Sequence, residues 1–355
     1  MAEHKIYFGA GPARLPQPVL EAMATAAIDY NGSGLSILEI PHRGKAFAAI
    51  LEEANALVLQ LCGLGGDDYS VMWLQGGGRH QFAMAPMNFL GDEETAGYID
   101  SGHWAHEAAE HAAYYGGVNI LSSSQEADYT HLPEWPAHIA ESLAYLHFTT
   151  NNTIYGTQWK SIPECPAPLI ADMSSDIFSM ARDYSRCALF YAVAQKNLGP
   201  AGVTLVVARK DFMEETKRAL PPVFSYAEQA AANSLLNTAP VAAIYTSLLV
   251  LRWIAERGIE KIEADNRAKA ALLYDAIDQS PHFYGTVDTN SRSLMNVTFR
   301  GKTEAVEKDF LAACKARGIE GIEGHRSVGG FRASLYNAVS LEDVKALVEC
   351  LNGQT

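Results

Sequence analysis

Hydrophobic positions along this chain follow two rhythms. Residues 18–29 and 47–62 (FAAILEEANALVLQLC) carry apolar residues at helical spacing. A short apolar run, Tyr69 to Leu74, then predicts a strand that stops at Gly76-Gly77-Gly78, with helical material from about Arg79 to Leu90. The same alternation continues with a strand at Ala96–Ile99 and a helix from Trp104 to Tyr115. Further short runs follow at Val118–Leu121, Leu143–Phe148, Leu169–Asp172, Ala188–Ala192 and Val203–Val207. Short apolar runs between amphipathic helices predict βαβ units and a mainly parallel sheet, an α/β fold. From Thr238 to about Ile277 the pattern is one long helical stretch. Beyond it the chain alternates again: Leu294–Phe299, a helix at 303–316, Gly330–Leu335, and a last helix from Leu341. That predicts a smaller α/β unit joined by a long helix. No fixed-period repeat or low-complexity tract interrupts the pattern.

Composition narrows the function classes. The chain has 355 residues, 48% hydrophobic and 19% charged, enough for a sizeable core and more than one compact unit. A net charge of −14 disfavours a nucleic-acid partner and means that any anionic metabolite must meet a local cationic pocket. No apolar stretch is long enough to span a bilayer. MAEHKIYFGAGP lacks the cationic start and apolar run of a secretory signal, so a cytoplasmic location without a membrane partner is expected. The five cysteines, Cys62, Cys165, Cys187, Cys314 and Cys350, have no zinc or CxxC spacing and read as inert thiols in a reducing compartment; no metal is expected.

In a parallel sheet, ligands sit beyond the carboxyl ends of the strands, so the residues there carry the candidate chemistry. Gln75-Gly76-Gly77-Gly78-Arg79 is either a plain turn or an anion cup at a helix N-terminus; it fits neither a dinucleotide nor a Walker pattern. Asp172 ends a strand, where an aspartate caps a helix, binds a metal or holds a protonated ring nitrogen. Lys196 closely follows an apolar strand, where a lysine either snorkels to solvent or loses its charge in a Schiff base. A pyridoxal-phosphate (PLP) enzyme needs such a lysine, a carboxylate for the ring nitrogen, an N–H cup for the phosphate and an aromatic face, for which Trp104 is available. All four stand at strand ends, and the set is far more specific than any member.

The stretches GAGPARLP (9–16), DYNGSGLSILEIPHRGKAF (29–47), LQGGGRHQFAMAPMNFL (74–90), ADMSSDIFS (171–179), YAVAQKNLGPAG (191–202), NTAP (237–240) and GHRSVGGFRASLYNA (324–338) give the chain a definite resemblance. It resembles the phosphoserine aminotransferases, within the class V, fold type I PLP aminotransferases. The resemblance implies a large PLP-binding domain at 16–256 and a small C-terminal domain at 257–355, with residues 1–15 packing on the latter. It implies that Lys196 is the catalytic Schiff-base lysine and that Asp172 pairs with the pyridine nitrogen. Trp104 stacks on the ring, Thr153 and Gln195 contact the cofactor, and Gly78 and Arg79 hold its phosphate through backbone N–H groups. Asn237 and Thr238 reach the cofactor phosphate of a second subunit, so the active sites are shared in a homodimer. Arg332 takes the substrate α-carboxylate, and His42, Arg43, His325 and Arg326 take the distal phosphate or γ-carboxylate. The implied substrates are glutamate and 3-phosphohydroxypyruvate, in serine biosynthesis by ping-pong transfer, and the resemblance also admits phosphohydroxythreonine, an intermediate of pyridoxine synthesis.

Three positions depart from the family's pattern: Ala10 and Pro41 where serine is frequent, and Glu323 where lysine is common. They bear on substrate preference and leave the cofactor set intact. Among rival readings, a cysteine desulfurase needs a cysteine on a mobile loop, whereas Cys314 and Cys350 fall in predicted helices. An alanine–glyoxylate type aminotransferase has no use for two His-Arg pairs. A non-catalytic anion-binding protein has no use for Lys196 with Asp172.

Overall fold

The computed structural model describes residues 5–353; the first four residues of the 1–15 segment lie outside it. The strands are β1 (Ile6–Tyr7), β2 (Tyr69–Leu74), β3 (Thr95–Asp100), β4 (Gly117–Ser123), β5 (Leu146–Thr149), β6 (Leu169–Asp172), β7 (Leu189–Val193), β8 (Thr204–Arg209), β9 (Phe283–Gly285), β10 (Asn296–Gly301), β11 (Ile319–Glu320) and β12 (Phe331–Ser334). The helices are α1 (Gln17–Ile28), α2 (Lys45–Cys62), α3 (Gly77–Phe89), α4 (His103–Ala112), α5 (Lys210–Glu214), α6 (Tyr226–Ala231), α7 (Val241–Arg257), α8 (Ile259–Gln279), α9 (Glu304–Ala316) and α10 (Leu341–Asn352).

Seven strands form the main sheet in the order β2-β8-β7-β6-β5-β3-β4. β7, β6, β5, β3 and β4 run parallel, and β8 is antiparallel to both β7 and β2. β8 is therefore the one reversed strand, and β2 ends at the same edge as the parallel five. Apart from the exposed edge strand β4, the sheet is covered on both faces, which is why its strands read as continuous apolar runs. Along β2, Val71 and Trp73 belong to one apolar cluster with Phe47, Ile50, Val58, Ile244 and Leu248 of α2 and α7. Met72 and Leu74 belong to the opposite one, with Phe82 and Ala85 of α3 and Ala108 and Ala112 of α4.

The long helical stretch of the sequence is two helices. Gly258, at φ 80°, separates α7 from α8, and Thr238–Pro240 lie outside any helix. A non-glycine side chain at that φ is strained, so glycine marks the break. Beyond it, β9, β10 and β12 form an antiparallel sheet in the order β12-β10-β9. Phe283, Phe299, Phe310 and Phe331 make its aromatic centre, and Phe8 packs into the same cluster. β1 pairs in parallel with β11, two strands too short for a periodicity to reveal.

Candidate active site

The strands that end at the common edge deliver the chemistry. Asp172 is the last residue of β6 and Lys196 stands three residues past β7. β2 leads into Gly76-Gly77-Gly78, β3 into Trp104 and β5 into Thr153. One cavity is lined by Gly78, Arg79, Phe82, Trp104, Thr149, Asn151, Thr153, Asp172, Ser174, Ser175, Val193, Gln195 and Lys196. The structure thus brings together Lys196 and six of the residues expected to hold the cofactor.

Glycine is required where β2 turns into α3. Gly76 has φ 105°, and a Cβ on it would lie 2.3 Å from the His80 ring. It leaves α3 with no side-chain cap, so the first-turn N–H groups face the cavity side unclaimed by the helix itself. Gly102 opens α4 in the same way; a Cβ there would meet the Asn152 amide, which donates to the Ser101 carbonyl at 2.7 Å.

Lys196 Nζ donates to the Thr153 hydroxyl at 2.7 Å, and Arg332 donates from Nη1 to the Thr153 carbonyl at 3.2 Å. The amine and the guanidinium therefore bracket a single residue. Burial pushes the Lys196 amine down to about 8, Asp172 pulls against that shift, and Arg332 adds to it. Asp172 is 4% exposed, and burial holds its carboxyl above the usual range against hydrogen bonding from Ser174. Its Oδ1 accepts the Ser174 N–H at 2.9 Å. Arg332 is itself lowered by burial, and its Nε has no partner.

The Arg79 side chain has a task beyond its backbone. Nε and Nη2 donate to the two Glu107 oxygens at 2.5 and 3.2 Å, and the guanidinium carbon lies 5.1 Å from the Trp104 ring centre. Glu107 thus fixes a cation beside the aromatic face. His103 packs edge-on to Trp104 at 4.8 Å. His325 is lowered by burial, then by the charges of Arg332, His103 and Arg326.

Seven expected residues do not line this cavity: Arg332, His325 and Arg326, and also His42, Arg43, Asn237 and Thr238. The last four gather at the far end of the glycine turn. Arg43 donates to the Leu235 carbonyl at 3.3 Å, Asn237 donates to the Gln75 side chain, and Gln75 donates to the Thr238 carbonyl at 2.6 Å. Arg43, Asn237 and Thr238 are exposed, and His42 Nε2 is buried without a partner.

Sequence reasoning missed Glu107, Asn151, Ser174 and Ser175. Ser174 and Ser175 stood inside a matched motif and could have been read as lining; Glu107 finds Arg79 from 28 residues away and left no local signal.

Comparison with known proteins agrees with this geometry. The class-V aminotransferase profile matches residues 6–347. The phosphoserine aminotransferase of Desulfosudis oleivorans is 46% identical over 349 residues, which is 97% of this chain and 96% of that one. The solved phosphoserine aminotransferase from Bacillus circulans subsp. alkalophilus superposes with a TM-score of 0.95 at 45% identity, over 99% of this chain and 98% of that one. A solved structure concerned with radiation damage of the Schiff base in phosphoserine aminotransferase gives 0.94 at 41% identity, over 97% of each chain. A buried strand-end lysine, a strand-end carboxylate and a glycine-opened helix, in a chain alike over nearly its whole length, lead to one conclusion: the chain belongs to the class V aminotransferases and, among them, to the PLP-dependent phosphoserine aminotransferases.

Proposed function

We propose that this chain moves the amino group of glutamate to 3-phosphohydroxypyruvate, giving 2-oxoglutarate and phosphoserine, with PLP linked covalently to Lys196. The observation that carries the assignment of residues is the bracketing of Thr153 by Lys196 and Arg332, in a cavity that Lys196, Thr153 and Asp172 line together.

The cavity suits PLP. A buried carboxylate, itself disfavoured by burial, matches a protonated ring nitrogen, and the uncapped α3 N-terminus matches a phosphate dianion. Trp104 offers an aromatic face with an unpartnered indole N–H, and Thr149 an unpartnered hydroxyl. When bound, PLP supplies an electron sink that makes the Cα–H of an attached amino acid acidic. Asp172 keeps the ring nitrogen protonated. Lys196 Nζ, its affinity for a proton lowered by burial, removes the proton at the substrate Cα and later returns a proton to the reacting centre. Arg332 grips the α-carboxylate with the donors that Thr153 leaves over, and Arg79, steadied by Glu107, keeps Trp104 in place.

The distal phosphate or γ-carboxylate falls to His325 and Arg326 from this chain and to His42 and Arg43 from a second copy. The second-copy reading rests on the exposed cluster of Arg43, Asn237 and Thr238, which lies away from its own chain's cavity. It also rests on the end of α1 and the chain from there to His42, where Ile28 is 83% and Leu38 is 72% exposed. A homodimer covers those side chains and completes each pocket. The unit boundary near residue 257 fits the same scheme, since the chain beyond it supplies Arg332 from the smaller sheet.

The test is spectroscopic. Wild-type protein carries a coloured Schiff base that borohydride removes, and Lys196→Ala lacks it. Full turnover by Lys196→Ala would overturn the assignment.

A further inference from the structure

Lys269 lies on α8, outside the cavity, and is 2% exposed. A lysine so buried is costly unless its N–H groups are met. Here all three have partners: Nζ donates to the carbonyl oxygens of Leu335, Tyr336 and Val339, each at 3.0 Å. Three converging carbonyls are what a small cation would see, and the chain fills the place with its own ammonium. Burial pushes the Lys269 amine down to about 7, Asp265 and Asp343 pull against that shift, and Arg257 adds to it. Both carboxylates have their own partners: Asp265 pairs with Arg257 and Lys261, and Asp343 with Arg14. The backbone of one turn is therefore what Lys269 holds.

That turn, residues 335–339, follows directly on β12, the strand of Arg332. It is also tied to the other half of the site. The Asn337 N–H donates to Oδ1 of Asn197, the residue after Lys196, at 2.9 Å. The Asn337 side chain donates to the Phe178 carbonyl at 2.9 Å and accepts from Asn266 at 2.8 Å. Asn197 donates to the Ile177 carbonyl at 2.7 Å. One turn thus joins the strand of Arg332, the neighbour of Lys196, and the segment that follows Asp172.

We propose that Lys269 is a positioning residue for transamination: its ammonium locks the 335–339 turn and so sets the span between Arg332 and Lys196 that a substrate carboxylate and its amino-bearing carbon must match. This rests on the roles given to Arg332 and Lys196 above. Lys269 touches neither substrate nor cofactor.

The test uses the PLP-loaded enzyme with Lys269→Met, which keeps the bulk and loses the donors, and Lys269→Ala, which leaves room for a small cation. Lys269→Met is expected to keep the cofactor absorbance while KM for glutamate, and Kd for the unreactive dicarboxylate glutarate measured by calorimetry, rise about tenfold, the size of one charged hydrogen bond lost. Lys269→Ala is expected to behave likewise and to regain glutarate affinity with ethylammonium but not with ethanol. A fall in Tm with KM and Kd unchanged overturns the proposal, as does equal rescue by ethanol. Should either variant fail to fold, Asn197→Ala cuts the same link from the other side, and an unchanged glutamate KM there also overturns it. Arg332→Ala, run alongside, separates the two readings. An unchanged KM in that variant overturns the carboxylate assignment and this proposal with it. A raised KM there, with unchanged values in the Lys269 variants, overturns this proposal alone.

Discussion

The two ends of the glycine turn after β2 differ in kind. At one end Gly78 and Arg79 enter a cavity in which Lys196, Asp172, Thr153 and Trp104 already face one another within a single chain. At the other end Gln75 gathers Asn237 and Thr238, with Arg43 held nearby at Leu235, on a surface that its own chain leaves exposed. The first region is finished by folding. The second is a set of exposed groups bonded to one another. In the proposed scheme the proton-moving chemistry is built into one protomer, while recognition of the distal charge is divided between two.

Mixing subunits is the strongest way to break that comparison. Lys196→Ala alone is expected to cost on the order of a thousandfold in kcat, the usual weight of a positioned general base. A His42→Ala/Arg43→Ala double variant is expected to raise KM for the phosphorylated substrate steeply. If the pockets are shared, random re-pairing of the two variants restores about a quarter of wild-type activity, because half the dimers are mixed and half their sites are intact. Mixtures no more active than the two variants separately would mean that each pocket is made by one chain.

The single-chain end can be sharpened next. Arg332→Ala is expected to weaken glutamate by roughly 1.5–3 kcal/mol, the worth of hydrogen bonds to a charged group. An unchanged KM would remove Arg332 from the pocket. A smaller effect follows from Lys196 itself in protein freed of PLP. Its folded proton affinity, about 8, lies below the ordinary 10.5, so between those values the unfolded chain binds more protons. Stability then rises with pH across that window, and the cost of burying the ammonium is fully present below it. Lys196→Met lacks this slope, so its stability advantage over wild type is expected to shrink between pH 8 and 10, as denaturant titrations would record. The smallest change is expected for Glu107→Gln, which loosens Arg79 beside Trp104: a shift of the cofactor band with kcat lowered less than about tenfold, given the partial exposure of the pair.

Much of this was legible in the chain. The apolar run Tyr69–Leu74 stops at glycine and Leu169–Asp172 stops at a carboxylate, and both strands have those bounds in the structure. What was hidden is tertiary. Periodicity carries no direction, so the reversal of β8 could not be read. Gly258 after Arg257 was a helix-end signal, yet the apolar rhythm on either side masked the break. Arg79 was visible as part of a phosphate turn, but its grip on Glu107 was not. Nor did anything in a run of helical residues single out Lys269, whose three acceptors come from about seventy residues away.

The central claim is that this site transfers an amino group to a phosphorylated three-carbon keto acid by way of Lys196. It is tested most directly by presenting the enzyme and glutamate with 3-phosphohydroxypyruvate, pyruvate and glyoxylate in parallel and comparing kcat/KM. The account requires the phosphorylated acid to be far ahead and its turnover to fall on the order of a thousandfold in Lys196→Ala. Preference for pyruvate or glyoxylate, or turnover that survives the loss of Lys196, would contradict it.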